Sequence, residues 1–328
     1  MATAFGTQFA STMSTSRWSE DGFAEPVLGP VEPIPMHPAA HVLHYSSTCF
    51  EGMKAHKGSD GQVRIFRGAR HVERMQQSAA QLRLAVPPTE LLHGMIRDVV
   101  AKNASEVPDS PGALYIRPML FGTMPNIGAA AAPSSEGWLI VLPSPVGDYF
   151  AGGLRPLKLL VETSTPRTTP HFGMVKSGAN YVQALPITLD AKAKYGVDQI
   201  LFAPDGDVQE TGAANFLLID DDRVVTRNLD SSFLHGVTRD SILTLARDLG
   251  YKVEERSLSV DEVLAWKGEA ALSGTAAVLA PVGTLLHNGT EHQINNGEVG
   301  PNIVRLRDAL LAVQRGEAPD THGWTEAV

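Results

Sequence analysis

Cysteine is almost absent from this 328-residue chain. With Cys49 alone, no internal disulfide can form and no paired-thiol metal or redox motif exists. A reducing, cytoplasmic setting is the expectation. Positive charge is also short. Lys and Arg number 27 against 36 Asp and Glu, a formal net charge of −9. That balance disfavours adhesion to nucleic acid or to anionic membranes. No apolar run approaches the length of a bilayer span. The opening MATAFGTQFASTMSTSRW holds one Arg and lacks the charged start and apolar stretch of a secretory leader. Residues 1–20 therefore read as a flexible tail. The signatures GxGxxG, GxxxxGK followed by Ser or Thr, GxSxG and HExxH are missing, and the 11 His show no metal-ligand spacing. Dinucleotide, P-loop and zinc-hydrolase chemistry have no support here, and no metal is expected.

What remains is 43% hydrophobic and 19% charged, the composition of a globular chain long enough for two domains. Residues 41–57 predict a strand, a bend at Gly52 and a second strand. GSDG at 58–61 predicts a hairpin turn, with QVRIF returning. Val72, Met75, Ala79 and Leu82 recur at helical spacing over 69–84, and Pro87-Pro88 ends that helix. A second helix is expected over 89–103, and strands over 113–121 and 137–143. SPVGDYFAGG, residues 144–153, reads as a linker between a small domain over 21–143 and a larger one over 154–328. In the larger domain, 178–194 reads as a helix kinked at Pro186. QILFA, VQE, FLLI and RVVT read as short antiparallel strands. GVTRDSILTLARDLG reads as a helix closed by Gly250, and Ser259 with Glu262 as a capping box. Strands and helices without regular βαβ alternation predict an α+β fold.

Several stretches carry side chains suited to chemistry, each with a plainer alternative. Lys176, in HFGMVKSGANYVQA, precedes Ser177, Gly178 and Ala179, which let a ligand approach the backbone. An amine is nucleophilic only when unprotonated, so a catalytic lysine needs surroundings that lower its pKa; a lysine snorkelling from a strand end fits the same residues. Glu210, in VQETGAANF, suits a cationic ring nitrogen or a surface hairpin. Gly236, Val237 and Thr238 open a helix, where N–H groups attract phosphate or Thr238 caps its own helix. Ser273, Gly274, Thr275 and Ala276 offer amides and hydroxyls without bulk, or a tight turn. Arg74 fits a phosphate fork or a solvated helix face. Tyr115 and Arg117, two apart on a strand, face one side and suit a carboxylate, or an ordinary ion pair.

In this order and spacing the pieces resemble the branched-chain amino-acid aminotransferases, fold-type IV enzymes that use pyridoxal 5′-phosphate (PLP). The likeness runs from Arg17-Trp18 to RGEAPDTHGW. It is most specific in LHYSSTCFEGMKAH, LYIRPML, SPVGDYF, VKSGANY, LHGVTRDSILTLARDLGYKVEER and SGTAAV. The resemblance implies a small N-terminal α/β domain and a larger C-terminal domain on a β-barrel-like sheet. It implies that Lys176 bonds PLP and shuttles a proton, and that Glu210 keeps the ring nitrogen protonated. Tyr181 would meet the phenolic oxygen; Arg74, the Val237 and Thr238 amides and Thr275 would cup the phosphate. Tyr115 and the Thr275 and Ala276 amides would receive the α-carboxylate, and Arg117 the distal carboxylate of glutamate. Phe50, Gly52, Tyr149 and Tyr45 would wall the side-chain pocket, with Tyr45 crossing from the partner of a homodimer. The implied reaction passes the amino group of Leu, Ile or Val to 2-oxoglutarate in ping-pong fashion. D-amino-acid and (R)-amine transaminases, aminodeoxychorismate lyases and a PLP-binding protein without turnover share the lysine, glutamate and phosphate cup. Departures from the family pattern are Ala179, Ser46, Ala214, the segment TTPHFGMV and the loop TMPNIGAAAAP.

Overall fold

The computed structural model describes residues 5–150 and 152–328. The chain divides into one unit of Met1–Ala151, Val175–Gly178 and Ala312–Val328 and another of Gly152–Met174 and Ala179–Leu311. The expected division had one boundary, in 144–153; here the first unit also takes two later segments.

The first unit holds β1 (Thr12–Ser19), β2 (Gly22–Phe23), β3 (Val27–Pro30), β4 (Thr48–Phe50), β5 (Met53–Lys57), β6 (Val63–Phe66), β7 (Ala113–Gly122) and β8 (Gly137–Val146). They run in the order β6-β5-β7-β8-β1-β2, with β3 beside β1 and β4 beside β7. The helices are α1 (His41–Tyr45), α2 (Gly68–Gln81) and α3 (Thr89–Lys102). Helix α2 has two buried stripes at i, i+3, i+7 spacing. Val72, Met75 and Ala79 join Met53, Ile65, Ile96 and Ile116 in the core, while His71, Arg74 and Ser78 form a polar stripe. Cys49, on β4, is fully buried; burial, and then the charge of Glu51, push its thiol up to about 12.

Two expectations fail in this unit. Residues 12–19 are not a tail but a strand, paired antiparallel with β8, because Met13, Ser14, Ser16 and Trp18 are buried against the sheet. The tail's residues before Phe5, and position 151 of the linker, lie outside the described residues. Residues 41–45 form a short helix rather than a strand, and Ser46 ends it in the left-handed conformation at φ 52°.

The second unit holds β9 (Leu157–Glu162), β10 (Gln199–Phe202), β11 (Asn215–Ile219), β12 (Arg223–Thr226), β13 (Lys252–Glu255), β14 (Glu269–Gly274), β15 (Val278–His287) and β16 (Thr290–Gln293). Their order is β10-β9-β15-β14-β11-β12-β13, with β16 beside β15. Helices α4 (Gly178–Tyr195), α5 (Val237–Asp248), α6 (Val260–Ala265) and α7 (Pro301–Arg315) complete the set. Pro186 lies inside α4. Strands β11 and β12 pair antiparallel, but β9–β10, β9–β15 and β12–β13 are parallel. Helices α4 and α5 supply two of the crossovers that parallel neighbours require. VQE is not a strand; Glu210 makes one bridge, to Asn215. Ser259 Oγ accepts the Glu262 N–H at 3.1 Å, capping α6.

The chain's last strand, β17 (Thr325–Ala327), pairs with β6 of the first unit. It satisfies an otherwise open sheet edge. Among the described residues, no helix is long and apolar enough to cross a membrane, and no His, Cys, Asp and Glu cluster could hold a metal.

Candidate active site

In the first unit the centre is the break between β4 and β5. The Phe50 N–H donates to the Lys176 carbonyl at 3.1 Å, and the Lys176 N–H donates to Ser78 Oγ on α2 at 3.1 Å. Lys176 thus lies in irregular chain two residues before α4, held from both sides of its own residue. It is not at a strand end. Its Nζ stands 5.1 Å from the Phe50 ring centroid, and the Arg117 guanidinium 4.7 Å from the same centroid. Alternation along β7 puts Tyr115 and Arg117 on one face, and Arg117 Nη2 donates to Tyr115 Oη at 3.0 Å. Gly52 makes room for that hydroxyl, since a Cβ there would stand 1.8 Å from Tyr115 Oη. Phe5 packs edge-on against Tyr115 at 5.1 Å and against Tyr149 at 6.1 Å.

Tyr45 is not part of this group. Its hydroxyl donates to the Ile127 carbonyl at 2.5 Å, tying α1 to the 123–134 loop. His41 reinforces the tie, with Nδ1 2.8 Å from Ser47 Oγ and Nε2 3.1 Å from the Ala132 carbonyl.

Arg74 is no solvated helix arginine. It is buried, and its Nε and Nη2 donate to Glu51 Oε1 and Oε2 at 2.6 and 2.9 Å. Glu51 Oε2 also contacts His71 Nδ1 at 2.7 Å and accepts the Gly52 N–H at 3.1 Å. Burial opposes the charge on Glu51, but Arg74 and His71 outweigh it and hold the carboxyl far below the usual range. Burial pulls His71 down, against the opposing pull of Glu51.

In the second unit, Glu210 is buried at 2% exposure, which removes the surface-hairpin alternative. Oε1 accepts the Leu234 N–H at 3.1 Å, and Oε2 accepts from Asn215 Nδ2 at 3.1 Å. Arg167 Nη1 lies 2.6 Å from Oε1. It is aligned too poorly for a hydrogen bond, so the contact is an ion pair. Arg167 Nε donates to the Gly212 carbonyl at 3.2 Å, and its Cζ lies 5.6 Å from the Tyr181 ring centroid.

Helix α5 starts at Gly236 with no side-chain cap, so Thr238 does not cap it. A Cβ at Gly236 would stand 2.0 Å from Asn215 Oδ1; glycine lets the helix start close to the Glu210 network. Register Asn215↔Ser273 sets the turn after β14 beside the same strand. Ser273 Oγ is buried without a partner. Val278 ends the Thr275–Ala277 turn at φ 65°, a conformation costly for a β-branched residue.

Reading the sequence missed Glu51, His71, Ser78, Arg167 and Phe5. The first three had a signal: Glu51 sits between two candidate residues, and His71, Arg74 and Ser78 share a helix face. Nothing local marked Arg167 or Phe5.

The first unit thus carries a lysine clamped beside an aromatic ring, and the second carries a buried carboxylate and a helix start without a side-chain cap. The chain belongs to the Amino-transferase class IV family, whose sequence profile matches residues 48–285. It is 38% identical to the probable branched-chain-amino-acid aminotransferase of Streptomyces coelicolor, over 98% of this chain and 91% of that one. It is 34% identical to branched-chain-amino-acid aminotransferase 2 of Bacillus subtilis, over 99% and 92%. Among solved structures, the branched-chain amino acid aminotransferase of Escherichia coli superposes with a TM-score of 0.78 at 27% identity, covering 97% of this chain and 98% of that one. Another branched-chain amino acid aminotransferase, solved with pyridoxamine 5′-phosphate, superposes with a TM-score of 0.79 at 28% identity, covering 98% and 99%.

Proposed function

We propose that the chain is a PLP-dependent aminotransferase that passes the amino group of branched-chain L-amino acids to 2-oxoglutarate in two alternating half-reactions, giving 2-oxo acids and L-glutamate. The observation that carries this is Lys176, clamped through its main chain beside Phe50, Tyr115 and Arg117. PLP supplies a carbonyl for the amine and a ring that accepts the electrons released at substrate Cα.

The residues present suit that group. Lys176 Nζ would hold it, and would take and return the proton at substrate Cα. Glu210, fixed by Asn215, Leu234 and Arg167, holds the proton on the ring nitrogen. Tyr181 takes the phenolic oxygen. Arg74, the Val237 and Thr238 amides and Thr275 take the phosphate. The uncapped start of α5 and the orphaned Ser273 Oγ support an anion receptor there. Tyr115 and the Thr275 and Ala276 amides receive the α-carboxylate, and Arg117 the distal carboxylate of glutamate. Phe50, Gly52 and Tyr149 surround the side chain, and Phe5 extends that wall. Phe50 against Arg117 offers one apolar and one charged surface, which suits leucine and glutamate in turn. Apolar methylene differences discriminate by only about 10–200-fold, so broad use of aliphatic substrates follows.

The working form is a homodimer in which Tyr45 serves the partner's pocket. Exposed Leu43 and Ile127 flank the tethered Tyr45, and Val182, Leu185 and Leu189 form an exposed apolar stripe on α4. The lone sealed thiol suits a cytoplasmic setting.

The test is the absorption spectrum with L-leucine, then 2-oxoglutarate, beside a Lys176→Ala control. Bleaching of the lysine-dependent band by leucine and its return with 2-oxoglutarate supports both half-reactions. A band that responds only to D-leucine or (R)-amines overturns the substrate assignment, and absence of any lysine-dependent band overturns the cofactor. Sedimentation reports the dimer.

A further inference from the structure

Glu51 stands between Phe50 and Gly52. Successive residues of extended chain point to opposite sides. Phe50 and Gly52 contact the Lys176, Tyr115 and Arg117 group, while the Glu51 carboxylate turns to α2. There it takes the Arg74 fork, His71 and the Gly52 N–H, at 0% exposure. An ionised carboxylate is acceptor-only, with about four lone-pair sites. Four contacts converge on it, one on Oε1 and three on Oε2, so its orientation is fixed by the helix that carries Arg74. Its own N–H is anchored to the Pro118 carbonyl of β7 at 2.8 Å.

Arginine is long, and fixing its rotamers costs entropy. A bidentate fork removes that freedom before any ligand arrives and sets the guanidinium plane. His71 is a second arm, supplied by the same helix one turn earlier.

We propose that Glu51, braced by His71, is a positioning residue: it locks the Arg74 guanidinium as a preformed phosphate receptor and ties it to the Phe50–Gly52 wall of the substrate pocket. This rests on the PLP reading above, and it concerns the phosphate alone.

The test compares the affinity of the apoprotein for PLP and for pyridoxal, which lacks the phosphate, by tryptophan fluorescence. Glu51→Gln should weaken PLP by about 10–100-fold, as outer partners of a ligand-holding residue do, and leave pyridoxal unchanged. Arg74→Ala should do the same, and the double variant should add nothing further. Glu51→Asp, which keeps the charge, should recover part of the loss; His71→Phe should give a smaller loss of the same kind. Circular dichroism checks folding, and if Glu51→Gln does not fold, the Asp and Phe variants decide. Equal losses for PLP and pyridoxal, or unchanged PLP affinity, overturn the positioning role while leaving PLP in place. A wild type that binds neither compound overturns both readings.

Discussion

Ser78 accepts a hydrogen bond from the main-chain N–H of Lys176 at 3.1 Å, so the α2 stripe that carries Arg74 also fixes the lysine's backbone. Ser78→Ala removes that acceptor inside a buried site. The expected cost is about 1–3 kcal/mol, read as a lower denaturation midpoint. A slower half-reaction with leucine should accompany it, since the amine loses its fixed starting point.

Gly52→Ala would put a Cβ 1.8 Å from Tyr115 Oη and 2.7 Å from its Cζ. Tyr115 must move and lose its contact with Arg117. The KM for leucine should rise by about tenfold or more, which is about 1.4 kcal/mol, with PLP affinity retained. Steady-state kinetics and a PLP titration separate the two.

Arg167→Met removes the cation that stands 2.6 Å from the buried Glu210 carboxylate. Breaking one side of a buried pair costs about 3–5 kcal/mol. Urea unfolding should show that loss. Arg167→Met combined with Glu210→Gln should cost less than the sum, because the second change removes the stranded charge.

His56, on β5, is buried with neither ring nitrogen partnered. Burial, then the charges of Lys54 and Arg315, lower its pKa to about 3. In the unfolded chain it titrates near 6.5. Between those values the unfolded state binds a proton that the folded state refuses. Stability from this group therefore falls as pH falls from about 6.5 toward 3, by about 1.4 kcal/mol per pH unit. Urea unfolding at pH 6.5 and 5.5 should show the wild type losing more stability than His56→Phe. Parallel losses would remove His56 from the account.

Legibility differed by the range of the signal. Helix α2 and the β5–β6 hairpin were readable because period and turn residues are local. Strand β1 was not: its Ser and Thr content looks like tail, and pairing with β8, more than a hundred positions away, places it inside the sheet. The parallel pairs β9–β10 and β12–β13 were hidden for the same reason. In the site, Lys176, Tyr115 and Arg117 were legible as residue types, but the plainer alternative for Glu210 fell only once its burial was known. Arg167 was illegible because its partner, Glu210, is far away along the chain.

Cys49 has a practical consequence. Its thiol is at 0% exposure and held near 12, so almost none of it is the reactive thiolate. The folded chain therefore offers thiol reagents nothing to modify. A cysteine introduced at exposed Val86 would be the sole attachment point on the chain, and a single dye or spin label placed there would report on the link between α2 and α3 without altering the native sulfur.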